Sequence, residues 1–75
     1  VDQYECTDLV RMWGYDASFH VRPDGKIDVL QGWAGHPTEV RSYPNMKVAV
    51  IAVHRFVYVS VRQWIRRIEE ANREL

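Results

Sequence analysis

Seventy-five residues with a formal net charge of zero make a single domain, residues 1–75, near the lower size at which chains fold alone. Neutrality leaves no global field to pull the chain to nucleic acid or membrane. A single cysteine, Cys6, excludes an internal disulfide and suits a reducing compartment, so a cytoplasmic location is expected.

Taken in chain order, the first segment reads two ways. Thr7 or Asp8 can cap a short helix through Leu9, Val10 and Met12 that closes at Gly14. Tyr4, Cys6, Val10 and Met12 also alternate loosely, as in a strand; the capping signals favour the helix. A hairpin follows. Phe19 and Val21 alternate with His20 and Arg22, the turn Pro23-Asp24-Gly25-Lys26 comes next, and Ile27 and Val29 flank Asp28. The pattern places Phe19, Val21, Ile27 and Val29 on one buried face. Gly32, Gly35 and Pro37 mark a loop carrying Trp33 and His36. Thr38 to Tyr43 reads as another strand, and Pro44-Asn45 as a turn.

Lys47 to Val53 is almost continuously apolar and β-branched, which predicts a central strand covered on both faces or pairing across a dimer. From His54 to Val61 two periods compete. Val57, Val59 and Val61 alternate as in a strand. Val57, Val61, Trp64, Ile68, Ala71 and Leu75 are spaced as one helical stripe. A break near His54-Arg55 and a helix over Val61 to Glu74 are expected. The run 47–61 falls short of the about 20 apolar residues a membrane span needs, so no membrane insertion is expected. The chain begins at Val1 rather than methionine, which suggests a trimmed start.

Charge is unevenly spread. Residues 1–28 hold six acids and three bases, whereas residues 40–67 hold six bases (Arg41, Lys47, Arg55, Arg62, Arg66, Arg67) and no acid. Arginine suits bidentate contact with phosphate or carboxylate, which makes this stretch the best functional candidate. Glu69 and Glu70 interleave with the arginines, and Arg66–Glu70 and Glu69–Arg73 have ion-pair spacing, so a merely solvated face competes with it. Three tryptophans and four tyrosines are expected mostly in the core, with Trp33 as a contact candidate.

Catalytic and metal signals are weak. Cys6, His20, His36 and His54 include no close pair of the kind that makes a zinc signature. Nothing positions a Cys6–His nucleophile and base, and no phosphate loop or nucleophile elbow is present. No cofactor and no enzymatic activity are expected.

The stretch from Trp13 to Val29, ending FHVRPDGKIDV, and the segment AVHRFV at 52–57 resemble the strand–His-Arg–helix portion of phage-type HNH homing endonucleases and their small DNA-binding modules, over about residues 13–62. The metal-binding core that should follow the His-Arg element is absent. The resemblance therefore implies DNA binding at most, with His54 and Arg55 at the matching positions.

The expected fold is α+β: a small, mostly antiparallel sheet of three or four strands packed by a C-terminal amphipathic helix, with a short N-terminal helix. The expected function is a non-enzymatic interaction module that self-associates as a homodimer or binds or inhibits another protein. The alternative is a small nucleic-acid binder. The expected contact residues are Arg41, Arg55, Arg62, Arg66, Arg67 and Trp33.

Overall fold

A computed structural model describes residues 1–73. The order is α1 (Gln3–Arg11), β1 (Tyr15–Val21), β2 (Ile27–Trp33), β3 (Glu39–Tyr43) and α2 (Met46–Arg73). The strands form one antiparallel sheet in the order β1-β2-β3. This is the expected α+β architecture, with three strands, a short N-terminal helix and a long C-terminal one.

The N-terminal segment is helical, but its cap lies upstream of the expected residues. The Asp2 side chain accepts a hydrogen bond from the Glu5 amide at 2.8 Å, so the helix starts at Gln3. Thr7 and Asp8 lie inside it. The Thr7 hydroxyl sits 2.9 Å from the Gln3 carbonyl and 3.2 Å from that of Ala17 on β1. Helix α1 thus lies along the outer edge of β1 and covers what would otherwise be a free sheet edge. Gly14 ends this unit with φ 84°, a backbone region in which a Cβ is strained.

The hairpin forms as expected, with Phe19 opposite Val29 and Val21 opposite Ile27. Gly25 takes φ 86° in the turn, and Asp24 accepts from the Lys26 amide at 3.0 Å. Ile27 and Val29 are buried and Phe19 is half-buried, but Val21 is 68% exposed. The pleat is as expected and the cover is not: α2 packs on β2 and β3, and Val21 sits at the tip of the outer strand.

The largest departure is at Lys47 to Val53, which is helix, not strand. Helix α2 runs without a break through His54-Arg55 from Met46 to Arg73, 28 residues. Asn45, expected as a turn residue, is the helix cap. Its side-chain oxygen accepts from the Val48 amide at 2.9 Å, and its carbonyl accepts from Ala49 at 3.1 Å. Valine costs a helix only tenths of a kcal/mol per residue, and burial of one stripe outweighs that. Ala49, Val50, Val53, Val57 and Val61 are all buried, at spacings that keep them on one helical face. The helix expected over Val61 to Glu74 is therefore the second half of a longer one; Glu74 and Leu75 lie outside the described residues.

The core is built of small side chains. Cys6, Val10, Ala17, Ile27 and Val29 meet the α2 stripe, and among aromatic residues only Tyr15 is fully buried. The expectation that most aromatic residues fill the core does not hold, because a helix packed through alanine and valine comes too close to the sheet to leave room for them. Phe19, Trp33 and Tyr43 pack at the margin of this core.

Stability should follow this division of α2. Val53, with no exposed surface, contrasts with half-exposed Val59 one and a half turns on. Val53→Ala is expected to lower unfolding free energy by about 2 kcal/mol, and Val59→Ala to change it by less than about 0.5 kcal/mol. Urea denaturation followed by circular dichroism measures both.

Candidate interaction surface

Helix α2 is longer than the body it packs on. Twenty-eight residues span about 42 Å at 1.5 Å per residue, whereas a seven-residue strand spans about 23 Å. The molecule is accordingly elongated, 55 × 24 × 17 Å. The last buried residue of α2 is Val61, and every residue from Arg62 to Arg73 is exposed. Most of this last stretch therefore projects past the sheet.

The apolar stripe does not stop where the cover stops. Trp64 is 43% exposed, Ile65 46% and Ile68 60%. Trp64 is held by an aromatic cluster at the end of the sheet. Its ring lies 4.9 Å from that of Trp33, which meets Tyr15 edge-on at 4.8 Å, with Phe56 5.7 Å from Tyr15. Trp33, expected as a contact residue, is thus half-buried within its own fold. Ile65 and Ile68 lie outside this aromatic cluster and continue the apolar row along the exposed side.

Helix α1 runs beside the first half of α2 in the same direction. Its start lies near Met46 and Val50, and its end near Tyr58 and Ile65. Between them is a groove of about 330 Å³, floored by Val57 and Val61 and walled by Leu9, Trp13, Tyr58 and Ile65, with His54 and Arg62 at its rim. Arg62 donates to the Tyr58 hydroxyl at 3.2 Å, and its guanidinium lies 5.8 Å from the centre of that ring. Leu9, Trp13, His54, Tyr58, Ile65 and Ile68 were not among the expected contact residues. The signal for the α2 members was present as a second helical row, Tyr58, Val61, Ile65 and Ile68, beside the main stripe.

The arginines do not form one cluster. Arg41 lies on β3 opposite Val29 and pairs with Glu39 at 3.4 Å. It shares an open groove with Arg55, Tyr43 and Phe56 on the β3 side of α2, whereas Arg62 borders the groove on the α1 side. Arg66 follows Arg62 one turn on along the outer face, and Arg67 turns toward the opposite flank. Among the described residues the ion pairs within 4 Å are those of Arg22 with Asp24 and Asp28 and of Arg41 with Glu39. The expected Arg66–Glu70 and Glu69–Arg73 pairs are not closed.

His54 and Arg55 sit in mid-helix, with the His54 ring near-parallel to Tyr58 at 6.5 Å. The strand–helix junction that the HNH resemblance requires at this dipeptide is not there. Among the described residues, no three His, Cys, Asp or Glu side chains converge as a metal site needs. Cys6 is fully buried, its thiol 3.8 Å from the Val50 carbonyl oxygen. By length and composition α2 is long and apolar enough to cross a membrane, longer than the run 47–61 suggested; its core face is taken up by the sheet. No protein family, curated protein or solved structure matches the chain.

Beneath α2, Gln31 ties the three strands together. It is 4% exposed; its amide nitrogen donates to the Tyr15 hydroxyl at 2.7 Å, and its amide oxygen accepts from the Tyr43 hydroxyl at 3.3 Å. Burial raises the Tyr15 phenol above its ordinary value, and burial likewise raises the Cys6 thiol. Both groups therefore hold their protons longer in the folded chain than in the unfolded one. The stability they contribute is complete well below about pH 8.5, where an unfolded thiol is half ionised, and declines as pH rises through that value and through about 10, where an unfolded phenol ionises. The urea midpoint is expected to fall between pH 8 and pH 10.5, and Cys6 to react with a thiol reagent at pH 8 only at the rate of unfolding. Prompt stoichiometric labelling of the folded chain would contradict the burial argument.

Proposed function

We propose that this chain is a non-enzymatic protein-interaction module and that α2 beyond Val61, with the adjoining α1 groove, is its contact surface. The observation that carries the reading is the continuation of an apolar helical row past the end of the body. Ile65, beside Leu9 and Trp13, is about half exposed, and Ile68, one turn further on, is more exposed still. Exposed apolar rows rimmed by charge mark protein contacts, and a helical row at this spacing suits docking against another helix. The occupant is another protein or a second copy of the chain.

One observation favours a second reading, binding of nucleic acid. Arg55, Arg62, Arg66 and Arg73 fall along the outward side of α2, and none pairs with an acid within 4 Å among the described residues. Against it stand the neutral net charge and Glu69 in the same row.

A photo-crosslinking amino acid at position 68, with one at Lys26 on the hairpin turn as control, separates the readings. Discrete protein adducts, to itself or to another protein, are expected from position 68 and not from position 26. Equal labelling at both, together with a gel shift of duplex or single-stranded nucleic acid that weakens steeply with salt, would favour the arginine row instead.

A further inference from the structure

We propose that the partner is a second copy of the chain, and that the two α2 projections pair antiparallel about a two-fold axis near Arg66-Arg67. In this arrangement Ile65 of each copy packs on Ile68 of the other, and Arg62 of each meets Glu69 of the other. The inference rests on the contact-surface reading above and specifies its occupant.

The seam is Tyr58, Val61, Ile65, Ile68 and Asn72, spaced 3, 4, 3 and 4 residues. This is the alternation of a helix that packs against another along a narrow row. Up to Val61 the row lines the groove beside α1, with Val61 buried on its floor and Tyr58 exposed on its wall; beyond Val61 the row is open. Facing residues on antiparallel helices advance in opposite directions, so seating Ile65 on Ile68 of the second copy determines the remaining contacts. Val61 comes opposite Asn72, and Trp64 lies beside the small Ala71. On the other flank Arg62 lies beside Glu69. Two-fold symmetry makes each contact twice.

Charge and space together select this register over its neighbours. Sliding the helices by one heptad toward greater overlap brings Arg62 against Arg62 and Glu69 against Arg55 of the second copy, but sets Asn72 on His54, where Leu9 and Val10 of α1 already lie. Sliding them one heptad the other way brings Glu69 against Glu69. Repulsion penalises the shorter register, and α1 beside His54 and Tyr58 closes off the longer one, which leaves the middle register. Arg62 is available for the contact, since among the described residues no carboxylate lies within 4 Å of it.

Space also permits it. Each folded body reaches along α2 no further than the Trp64–Trp33 contact and the groove wall at Ile65, so the two bodies lie toward opposite ends of the paired helices. The end of each projection then enters the other copy's groove beside Leu9 and Trp13. A parallel pair would instead bring both bodies to the same end and place no acid beside Arg62. The overlap is only about 18 Å long at 1.5 Å per residue, and a short helical contact of this kind falls in the weak class of interfaces. The dimer is therefore a weak one that forms at high protein concentration.

Sedimentation velocity of the whole chain from about 10 to 500 µM tests this. The wild type is expected to dimerise. Glu69→Arg and Arg62→Glu should each weaken pairing by at least about five-fold, since each turns two attractions into two repulsions. The double variant should recover it, and so should an equimolar mixture of the two single variants. Circular dichroism should find all variants folded, because both positions are exposed. A dimer indifferent to both reversals, or not restored by the double variant, overturns the register. A chain that stays monomeric at 500 µM overturns self-pairing, whatever protein position 68 cross-links to; the contact-surface reading stands or falls separately on that cross-link.

Discussion

The mismatch in length between α2 and the sheet beneath it governs this molecule. Four turns of the helix are anchored by Ala49, Val50, Val53, Val57 and Val61, and the remaining turns extend into solvent. A free peptide of some twelve residues is at best marginally helical in water. Arg62 to Arg73 is helical because it continues a helix already nucleated by the Asn45 cap and held by the valine stripe. Anchorage and projection are thus one cooperative unit. Anything that loosens the valine contact removes the projecting surface as well.

The same close packing explains where the large side chains went. A sheet face bearing Ala17 and Val29, pressed by Ala49 and Val53, leaves little depth for rings. The rings gather where helix and sheet diverge, as Tyr15, Trp33, Phe56 and Trp64 at the end of β2. That cluster marks the end of the contact between α2 and the sheet. Gln31 stands next to it and joins Tyr15 to Tyr43 across the three strands. A buried amide satisfied at both ends fixes the strand register under the helix more specifically than valine contacts can.

Much of this was legible in the sequence, and the parts that were not have definable causes. The hairpin could be read because turn chemistry and alternation agree over 19–29. The start of α2 could not, because Pro44-Asn45 signals a turn and a helix cap equally well. Val48 and Ile51, exposed on the outer side of α2, fill the gaps that would have disclosed a helical period. The segment therefore looked apolar on both faces, as a buried strand does. The arginines were legible in number but not in direction. Whether Arg41 and Arg62 share a surface depends on which flank of α2 faces α1, and that is set by tertiary packing. Leu9 and Trp13 were invisible as site residues for the same reason, since nothing local to α1 says what lies beside it.

An uncovered apolar row on a neutral chain carries a hazard. With zero net charge there is little mutual repulsion between molecules to oppose indiscriminate association. Six of the twelve residues from Arg62 to Arg73 are charged, four positive and two negative. They flank Ile65 and Ile68 rather than replacing them. Charges of one sign would keep the projection soluble but would repel every copy equally. With both signs present, a contact is favourable only where arginine comes to lie beside glutamate, so the same residues that keep the row soluble also restrict what can cover it. The apolar residues supply attraction without direction, and the alternation of arginine and glutamate supplies the direction.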